Sequence, residues 1–293
     1  MDFVSARTKH EALDCLDKKG DETCVIAGGT DVMVQIGLKQ LSPAVLLHVE
    51  RLSELTQLSE AETIRIGSLV TQRSLAESGL VSQKLPSLRS AASLSGGWQT
   101  QSVGTIGGNV CNASPAADLI PVLLAHDATV TLESKARGER RLPIGQFVLG
   151  RRKIAREKDE LLTSFELPRP APHSGCAFAK VGRRSAMEIS VINMAVRMLL
   201  KSDGTVSDAA IAVGSAGPVA FRAVEAENLI KGEHLDDDLI AEAAQRLLDR
   251  ATPIDDVRGS QTYRRNVLPR IFERCLRQAA ELASRTVGTE RAH

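Results

Sequence analysis

The segment VGTIGGNVCNASPAAD, residues 103–118, combines three glycines with small polar side chains. It ends a run without Asp, Glu, Lys or Arg that covers residues 90–117, although 25% of the chain is charged. Glycines let the backbone approach a ligand closely, and successive backbone N–H groups can bind an anion without a lysine. The segment therefore predicts a phosphate-binding loop, whereas a glycine-rich turn followed by a capped helix would explain the glycines without a ligand.

A second glycine pair lies nearer the N-terminus, in the segment AGGTD at residues 27–31. The apolar residues 24–27 predict a buried strand, and Thr30 is predicted to cap a helix that runs through Leu38. This pair could also bring the backbone close to an anion. For this segment alone, a tight turn between a strand and a helix is the simpler explanation.

The remaining sequence predicts an α+β fold, because strand patterns in the C-terminal part precede helix patterns. Thr8 and Glu11 form a capping box for one helix, and Ser114 is predicted to cap another that runs to about His126. Further helices are predicted at residues 86–94, 218–231, 236–250 and 267–284. Strands are predicted at residues 45–49, 61–67, 128–133, 160–167, 175–181, 189–200 and 206–213. Three prolines within residues 168–172 predict a linker between two domains.

Composition and missing motifs argue against several classes of function. The net charge is +1, from 37 basic and 36 acidic residues, so the basic surface of a nucleic-acid-binding protein is not expected. No apolar run is long enough for a membrane span, and the N-terminus lacks a signal peptide, so we expect a cytoplasmic protein. The five cysteines and six histidines are dispersed, so no metal ligand and no catalytic residue is predicted. Neither GxGxxG nor a P-loop occurs.

The two glycine segments, in this order and about 77 residues apart, resemble the FAD-binding subunit of molybdenum hydroxylases, the xanthine dehydrogenase and carbon monoxide dehydrogenase flavoprotein family. Residues 159–168 are similar to the strand that closes the flavin domain of this family. Residues 177–184 and 255–265 are similar to its C-terminal domain. The resemblance therefore extends over nearly the whole chain.

The resemblance implies an α+β protein with a two-lobed FAD-binding domain of the vanillyl-alcohol-oxidase (PCMH) type. This domain would cover residues 1–170, with lobes at about 1–58 and 59–170. A small α+β domain like the C-terminal domain of CO dehydrogenase flavoproteins would follow at residues 173–293. FAD would bind noncovalently between the lobes, with its pyrophosphate on both glycine segments.

The family pattern also implies a set of FAD contacts. The single tryptophan, Trp98, lies directly after Gly96-Gly97. It could flank the cofactor entrance, but a buried packing residue is the simpler expectation. The implied contacts are Ala27, Gly28, Gly29, Thr30, Asp31, Thr105, Gly107, Gly108, Asn109, Asn112, Asp118, Leu162 and Lys180. Leu162 and Lys180 match positions near the flavin ring, although Lys180 could equally be a solvated lysine on a strand.

The implied function is electron transfer within an oxidoreductase complex. A large partner subunit would hold the molybdenum cofactor, and a small one would hold two [2Fe–2S] clusters, in a dimer of heterotrimers. Electrons would pass from the clusters to FAD in this chain and then to an external acceptor. The alternatives are a stand-alone FAD-dependent oxidase or reductase of the same fold, and a flavin-free binding module in which both glycine segments are ordinary turns.

Overall fold

The computed structural model describes residues 1–184 and 187–290, with the backbone alone for residues 286–290. Its strands are β1 (Asp2–Ser5), β2 (Thr23–Ile26), β3 (Val45–His48), β4 (Leu58–Glu60), β5 (Thr63–Gly67), β6 (Thr129–Ser134), β7 (Gly138–Pro143), β8 (Val148–Gly150), β9 (Lys153–Ile154), β10 (Glu160–Pro168), β11 (Ser174–Val181), β12 (Ile192–Leu200), β13 (Val206–Gly214) and β14 (Phe221–Arg222). Its α-helices are α1 (Lys9–Lys19), α2 (Val32–Gly37), α3 (Gln72–Glu77), α4 (Gly79–Lys84), α5 (Pro86–Leu94), α6 (Trp98–Val103), α7 (Ile106–Asn112), α8 (Leu119–Ala125), α9 (Ile144–Phe147), α10 (Val224–Ile230), α11 (Asp237–Arg250) and α12 (Gln261–Glu290).

The chain divides into two compact units that interleave along the sequence. The first unit consists of Met1–Leu75, Gly97–Ala113 and Asp127–Pro168. The second consists of Ala76–Gly96, Ser114–His126 and the described residues from Arg169 onward. The first glycine segment and residues 103–113 of the second belong to the first unit, whereas Asp118 and Lys180 belong to the second.

The first unit contains a two-stranded antiparallel sheet, β8-β9, and two larger sheets. One of the larger sheets is parallel, with the strand order β1-β3-β2, and the other is antiparallel, with the order β4-β5-β10-β6-β7. Ile64 and Ile66 alternate with exposed residues on β5 and are fully buried, as their spacing predicts. Thr8 accepts a hydrogen bond from the backbone N–H of Glu11, so the predicted cap of α1 is confirmed.

The second unit is an antiparallel sheet, β11-β12-β13-β14, that is covered by helices. Its core contains Met194, Val196 and Met198 of β12 together with Phe272 and Leu276 of α12. These apolar side chains remove a large area from water, which drives the packing of the helix on the sheet. The predicted α+β class is confirmed.

Four predicted helix starts are wrong. The helix predicted at residues 218–231 begins only at Val224, because Phe221–Arg222 form β14, and the helix predicted at residues 267–284 begins earlier, at Gln261. Thr30 does not cap α2, because the N-cap position is Asp31 and it makes no side-chain cap bond. The helix predicted from Ser114 begins only at Leu119. The carbonyls of Pro115 and Ala117, which a helix would use internally, instead accept hydrogen bonds from Ser215 N and the Asn193 side chain.

The glycine-rich segment is more helical than predicted. It begins at the last residue of the short helix α6 and contains the short helix α7, which ends at Ala113, a residue in the left-handed region with φ of 44°. Across residues 1–184 and 187–290, none of the helices combines the length and the apolar composition that a membrane span requires.

Candidate functional site

The first glycine segment forms the connection between β2 and α2 in the first unit. A Cβ atom on Gly28 would lie 2.0 Å from the carbonyl oxygen of Val103, which rules out any larger residue without a shift of the backbone. Gly29 has a φ of +70°, in the left-handed region that favours glycine. The pair thus brings residues 27–31 against the end of α6.

The backbone of this loop has free donors. The N–H groups of Gly28, Gly29, Thr30 and Asp31 donate no hydrogen bond to any residue within the described ranges. Successive N–H groups of this kind form a concave binding site for an anion. The loop can therefore bind a phosphate group through its backbone, without a lysine or arginine.

The second glycine segment is different, because its backbone donors are already used. Ile106 N donates to Val70 O, Gly107 N to Ser68 O, and Asn109 N to Thr105 O. The N–H of Gly108 donates to the Thr105 hydroxyl at 2.9 Å, so Thr105 is the side-chain cap of α7. This segment can therefore contact a ligand through its side chains and its exposed backbone, but not through free N–H groups.

The two glycines of α7 have different surroundings. A Cβ on Gly107 would lie 2.6 Å from Ser68 O, so this glycine allows α7 to pack against the chain that follows β5. Gly108 is exposed, and a Cβ there would meet only the Thr105 hydroxyl, at 3.1 Å. Gly107 thus has a packing reason to be glycine, whereas the close approach of a ligand remains the reason available for Gly108.

Side-chain hydrogen bonds join the two segments. The Asn112 amide donates to Asp31 Oδ1 at 2.9 Å, and the Gln35 amide donates to Asn112 Oδ1 at 3.2 Å. Burial raises the pKa of Asp31, while Arg152 and the bond from Asn112 act in the opposite direction. Asp31 and Asn112 therefore hold the loop after β2 against α7.

Asn109 carries a polar atom that lacks a protein partner. Its Oδ1 is buried, and no described residue donates a hydrogen bond to it. Leaving a buried acceptor unpaired costs about 1–3 kcal/mol. A donor from water or a ligand at this position would remove that cost. The family pattern implied a contact at Asn109, but only the fold shows that its Oδ1 has no partner among the described residues.

Asp118 and Lys180 lie together in the second unit, where both side chains are buried. Their ion pair has a distance of 2.6 Å between Lys180 Nζ and Asp118 Oδ2. The other carboxylate oxygen accepts from Ser190 Oγ at 2.5 Å and from Asn193 Nδ2 at 2.7 Å. The sequence reasoning missed Ser190 and Asn193, because their role depends on contacts with a residue more than 70 positions away.

Lys180 is fully engaged as a donor. Besides Asp118, its ammonium group donates to the carbonyl oxygens of Leu94 at 3.0 Å and Glu188 at 2.7 Å. Lys180 is therefore not a solvated lysine. Its contacts tie β11 to the chain before β12, while its predicted contact with FAD stays a prediction.

Leu162 lies on β10 in the first unit and is 4% exposed. It pairs with Leu132 next to an irregularity in the register between Leu162 and Ser164. Its predicted contact with the flavin also stays a prediction. Trp98 was expected to be buried, and this expectation is wrong, because 62% of its surface is exposed.

Residues 1–184 and 187–290 contain no cluster of three or more His, Cys, Asp or Glu side chains that could hold a metal ion. His126, for example, is buried with its Nε2 2.9 Å from the Ser87 hydroxyl, and burial together with Arg197 lowers its pKa to about 3.

Comparisons with known proteins cover almost the whole chain. The family model "FAD binding domain in molybdopterin dehydrogenase" matches residues 1–170, and "CO dehydrogenase flavoprotein C-terminal domain" matches residues 177–279. The chain is 33% identical to the 6-hydroxypseudooxynicotine dehydrogenase complex subunit alpha of Paenarthrobacter nicotinovorans, over 98% of this chain and 96% of that one. It is 31% identical to the xanthine dehydrogenase FAD-binding subunit of Escherichia coli O157:H7, over 97% and 98%.

A solved structure shows the same fold. A chain of carbon monoxide dehydrogenase from Hydrogenophaga pseudoflava, in a form that lacks the Mo-pyranopterin moiety, superposes with a TM-score of 0.91 at 28% identity. The match covers 95% of this chain and 96% of that chain. The similarity thus includes both compact units.

Proposed function

Because the chain belongs to the FAD-binding medium subunits of the molybdenum hydroxylase family, we propose that it is the electron-transfer subunit of a multi-subunit hydroxylase. It is an oxidoreductase subunit whose molybdenum site lies on another chain. Its own cofactor is FAD. The observation that carries the proposal is the loop after β2, which packs against α6 and α7 and has four free backbone N–H groups.

The residues of the first unit fit a dinucleotide. The N–H groups of Gly28 to Asp31 would bind the pyrophosphate, and the unpartnered Oδ1 of Asn109 would accept from a ligand donor or a bound water. The proposed contacts are Ala27, Gly28, Gly29, Thr30, Asp31, Thr105, Gly107, Gly108, Asn109, Asn112, Asp118, Leu162 and Lys180. Besides Gly107, Asp118 and Lys180, the residues Asp31, Thr105 and Asn112 in this set also have structural partners within the chain.

Bound FAD supplies the redox chemistry, so this chain needs no general acid or base of its own. Its residues bind the dinucleotide noncovalently, orient it and set its electrostatic surroundings. In the proposed path, electrons arrive from [2Fe–2S] clusters on a small partner subunit and leave to an external acceptor.

The proposed assembly follows the family. A large subunit with the molybdenum cofactor and a small subunit with the [2Fe–2S] clusters would join this chain in a dimer of heterotrimers, in the cytoplasm. The proposed domain boundaries are residues 1–170, with lobes at about 1–58 and 59–170, and residues 173–293. The family models, whose matches end at residue 170 and begin again at residue 177, support this division.

The test is a substitution at Gly108 in the full-length chain. Gly108→Val adds a side chain to an exposed position that only Thr105 Oγ1 approaches, so the fold should be preserved. We expect this variant to purify without FAD and with an unchanged circular dichroism spectrum. Gly79→Val is the matched control, because Gly79 also lies in a short helix with nothing within 4 Å of a Cβ, and it should retain FAD.

Two results would contradict the proposal. Full FAD occupancy in Gly108→Val would show that α7 does not line the dinucleotide. Turnover of a substrate by the isolated chain, without molybdenum or iron–sulfur subunits, would identify a stand-alone flavin enzyme instead.

A further inference from the structure

Trp98 is the single tryptophan of the chain, and it is 62% exposed. The guanidinium carbon of Arg73 lies 3.3 Å from the centroid of its ring. A cation at this distance over an indole face is attracted by the π electrons and holds the ring in one orientation. Trp98 thus presents an ordered aromatic surface of which one face is covered by Arg73.

A backbone hydrogen bond links the chain segments that carry Trp98 and Arg73. Trp98 is the first residue of α6, and the Gly104 carbonyl just after α6 accepts a hydrogen bond from Gln72 N, adjacent to Arg73. Gln101 of α6 is 6% exposed and anchors the helix in the first unit. The stacked pair is therefore fixed to the framework of the first unit rather than to a free loop.

This pair lies near the first glycine loop. Val103, the last residue of α6, is the residue whose carbonyl would lie 2.0 Å from a Cβ on Gly28. Five residues of α-helix rise about 7.5 Å, so Trp98 is about that far along the helix axis from this contact. The ring of a nucleotide extends a comparable distance from its pyrophosphate.

We propose that the face of Trp98 opposite Arg73 stacks on a planar ring of the dinucleotide whose pyrophosphate binds the Gly28 loop. Aromatic side chains stack on nucleotide rings with little dependence on which ring is present, because each ring offers a π face. Arg73 contributes by fixing the indole, and it is a positioning residue in this arrangement. The inference rests on the proposed FAD site and adds a residue that the family pattern did not include.

The test measures the affinity of the full-length apoprotein for FAD. Trp98→Ala should raise the dissociation constant by about tenfold or more, as loss of one aromatic stacking partner typically does. Trp98→Phe retains a ring and should stay within about threefold of the wild type on the same basis. Gln99→Ala is the matched control, because Gln99 is an exposed neighbour on the same helix, and its affinity should not change.

Two smaller ligands identify the ring. FMN contains the isoalloxazine and ADP contains the adenine, and each carries phosphate for the Gly28 loop. The ligand whose affinity falls in Trp98→Ala contains the stacked ring. Because the chain has one tryptophan, quenching of its fluorescence by ADP reports adenine stacking directly, without energy transfer to a flavin.

The outcomes separate this inference from the proposed function. If the wild type binds FAD and Gly108→Val does not, but Trp98→Ala binds within twofold of the wild type, the stacking role is wrong and the FAD site stands. Insensitivity of both FMN and ADP to Trp98→Ala would also overturn it. If the wild type binds no FAD, both the site and the stacking role fail. Thermal unfolding of Trp98→Ala should match the wild type, since the side chain is exposed.

Discussion

Replacing Lys180 by Met should destabilise the second unit, because it removes the cation from a buried ion pair. Lys180 and Asp118 have side chains that are 8% and 6% exposed, and their charged atoms are 2.6 Å apart. In Lys180→Met the carboxylate of Asp118 would stay buried with only the neutral donors Ser190 and Asn193. The variant thus tests whether Lys180 has a structural role apart from any ligand.

The expected loss of stability in Lys180→Met is large. Removing one partner of a buried ion pair typically costs about 3–5 kcal/mol, because the remaining charge is left without compensation. The two backbone carbonyls that Lys180 also binds, of Leu94 and Glu188, lose their donor in the same variant. Adding Asp118→Asn removes the uncompensated charge, so the double variant should recover at least about 1 kcal/mol relative to Lys180→Met.

The assay is urea denaturation of the full-length apoprotein, followed by circular dichroism, with hydrogen exchange of residues 188–193 as a local measurement. Work on the apoprotein keeps the binding energy of FAD out of the comparison. A loss of less than about 1 kcal/mol, the range of exposed ion pairs, would refute the structural role. Lys180 would then belong to the ligand site alone, and FAD affinity should fall instead.

Three further predictions concern buried charged or titratable groups. Burial raises the pKa of Glu160, but hydrogen bonds from Arg140 and its neighbours hold this pKa below the usual value. The stabilisation that Glu160 contributes is therefore lost as the pH falls below about 4.5. Glu160→Gln should lower the free energy of unfolding by about 1.5–3 kcal/mol at pH 7 in urea denaturation, and it should reduce that pH dependence. The pKa of His126 is lowered to about 3 in the folded protein, so between pH 6.5 and 3 the unfolded chain binds one more proton than the folded chain. The free energy of unfolding should therefore fall by up to about 1.4 kcal/mol per pH unit from pH 6.5 towards 3. His126→Gln should reduce this slope, and an unchanged slope would contradict the assignment. Arg264 is 2% exposed and lies 2.6 Å from Asp256, so Arg264→Met should lower stability by about 3 kcal/mol or more, whereas an unchanged melting temperature would show that the pair is dispensable.

Local signals in the sequence predicted the elements that depend on local interactions. The helix Pro86–Leu94 has the predicted bounds, because a proline at its first position and a serine after its last turn act over a few residues. The cap of α11 by Asp236 is likewise formed within the segment predicted as a helix. The glycine loop after β2 was also found, since a strand, two glycines and a helix follow one another directly.

The features that the sequence did not predict depend on residues that are distant in sequence. Ser114 accepts a hydrogen bond from Ala116 N and is followed by a single turn, but Ser215 and Asn193, about 80 to 100 positions away, bind the carbonyls of this segment, and the helix begins only at Leu119. The contact between Gly28 and Val103 is equally distant in sequence. A single sequence contains no local signal for such contacts, so the reason why Gly28 must be glycine became visible only in the fold.

The exposure of Trp98 was missed for a related reason. Tryptophan is usually largely buried, so packing was the default expectation for a single tryptophan in a chain with 3% aromatic residues. Its orientation instead depends on Arg73, which lies on another helix and covers one face of the ring. A residue that departs from its usual environment in this way is a candidate for ligand contact.

In the proposed function, this chain accepts electrons through FAD from an iron–sulfur partner, and anaerobic rapid mixing can follow this transfer. The oxidised, FAD-loaded chain is mixed with its small [2Fe–2S] subunit after reduction of both clusters. We predict that the flavin absorbance bleaches as the two clusters lose one electron each, and that Gly108→Val shows no such exchange because it carries no FAD. Clusters that stay reduced beside an oxidised flavin in the assembled complex would show that FAD in this chain does not accept their electrons.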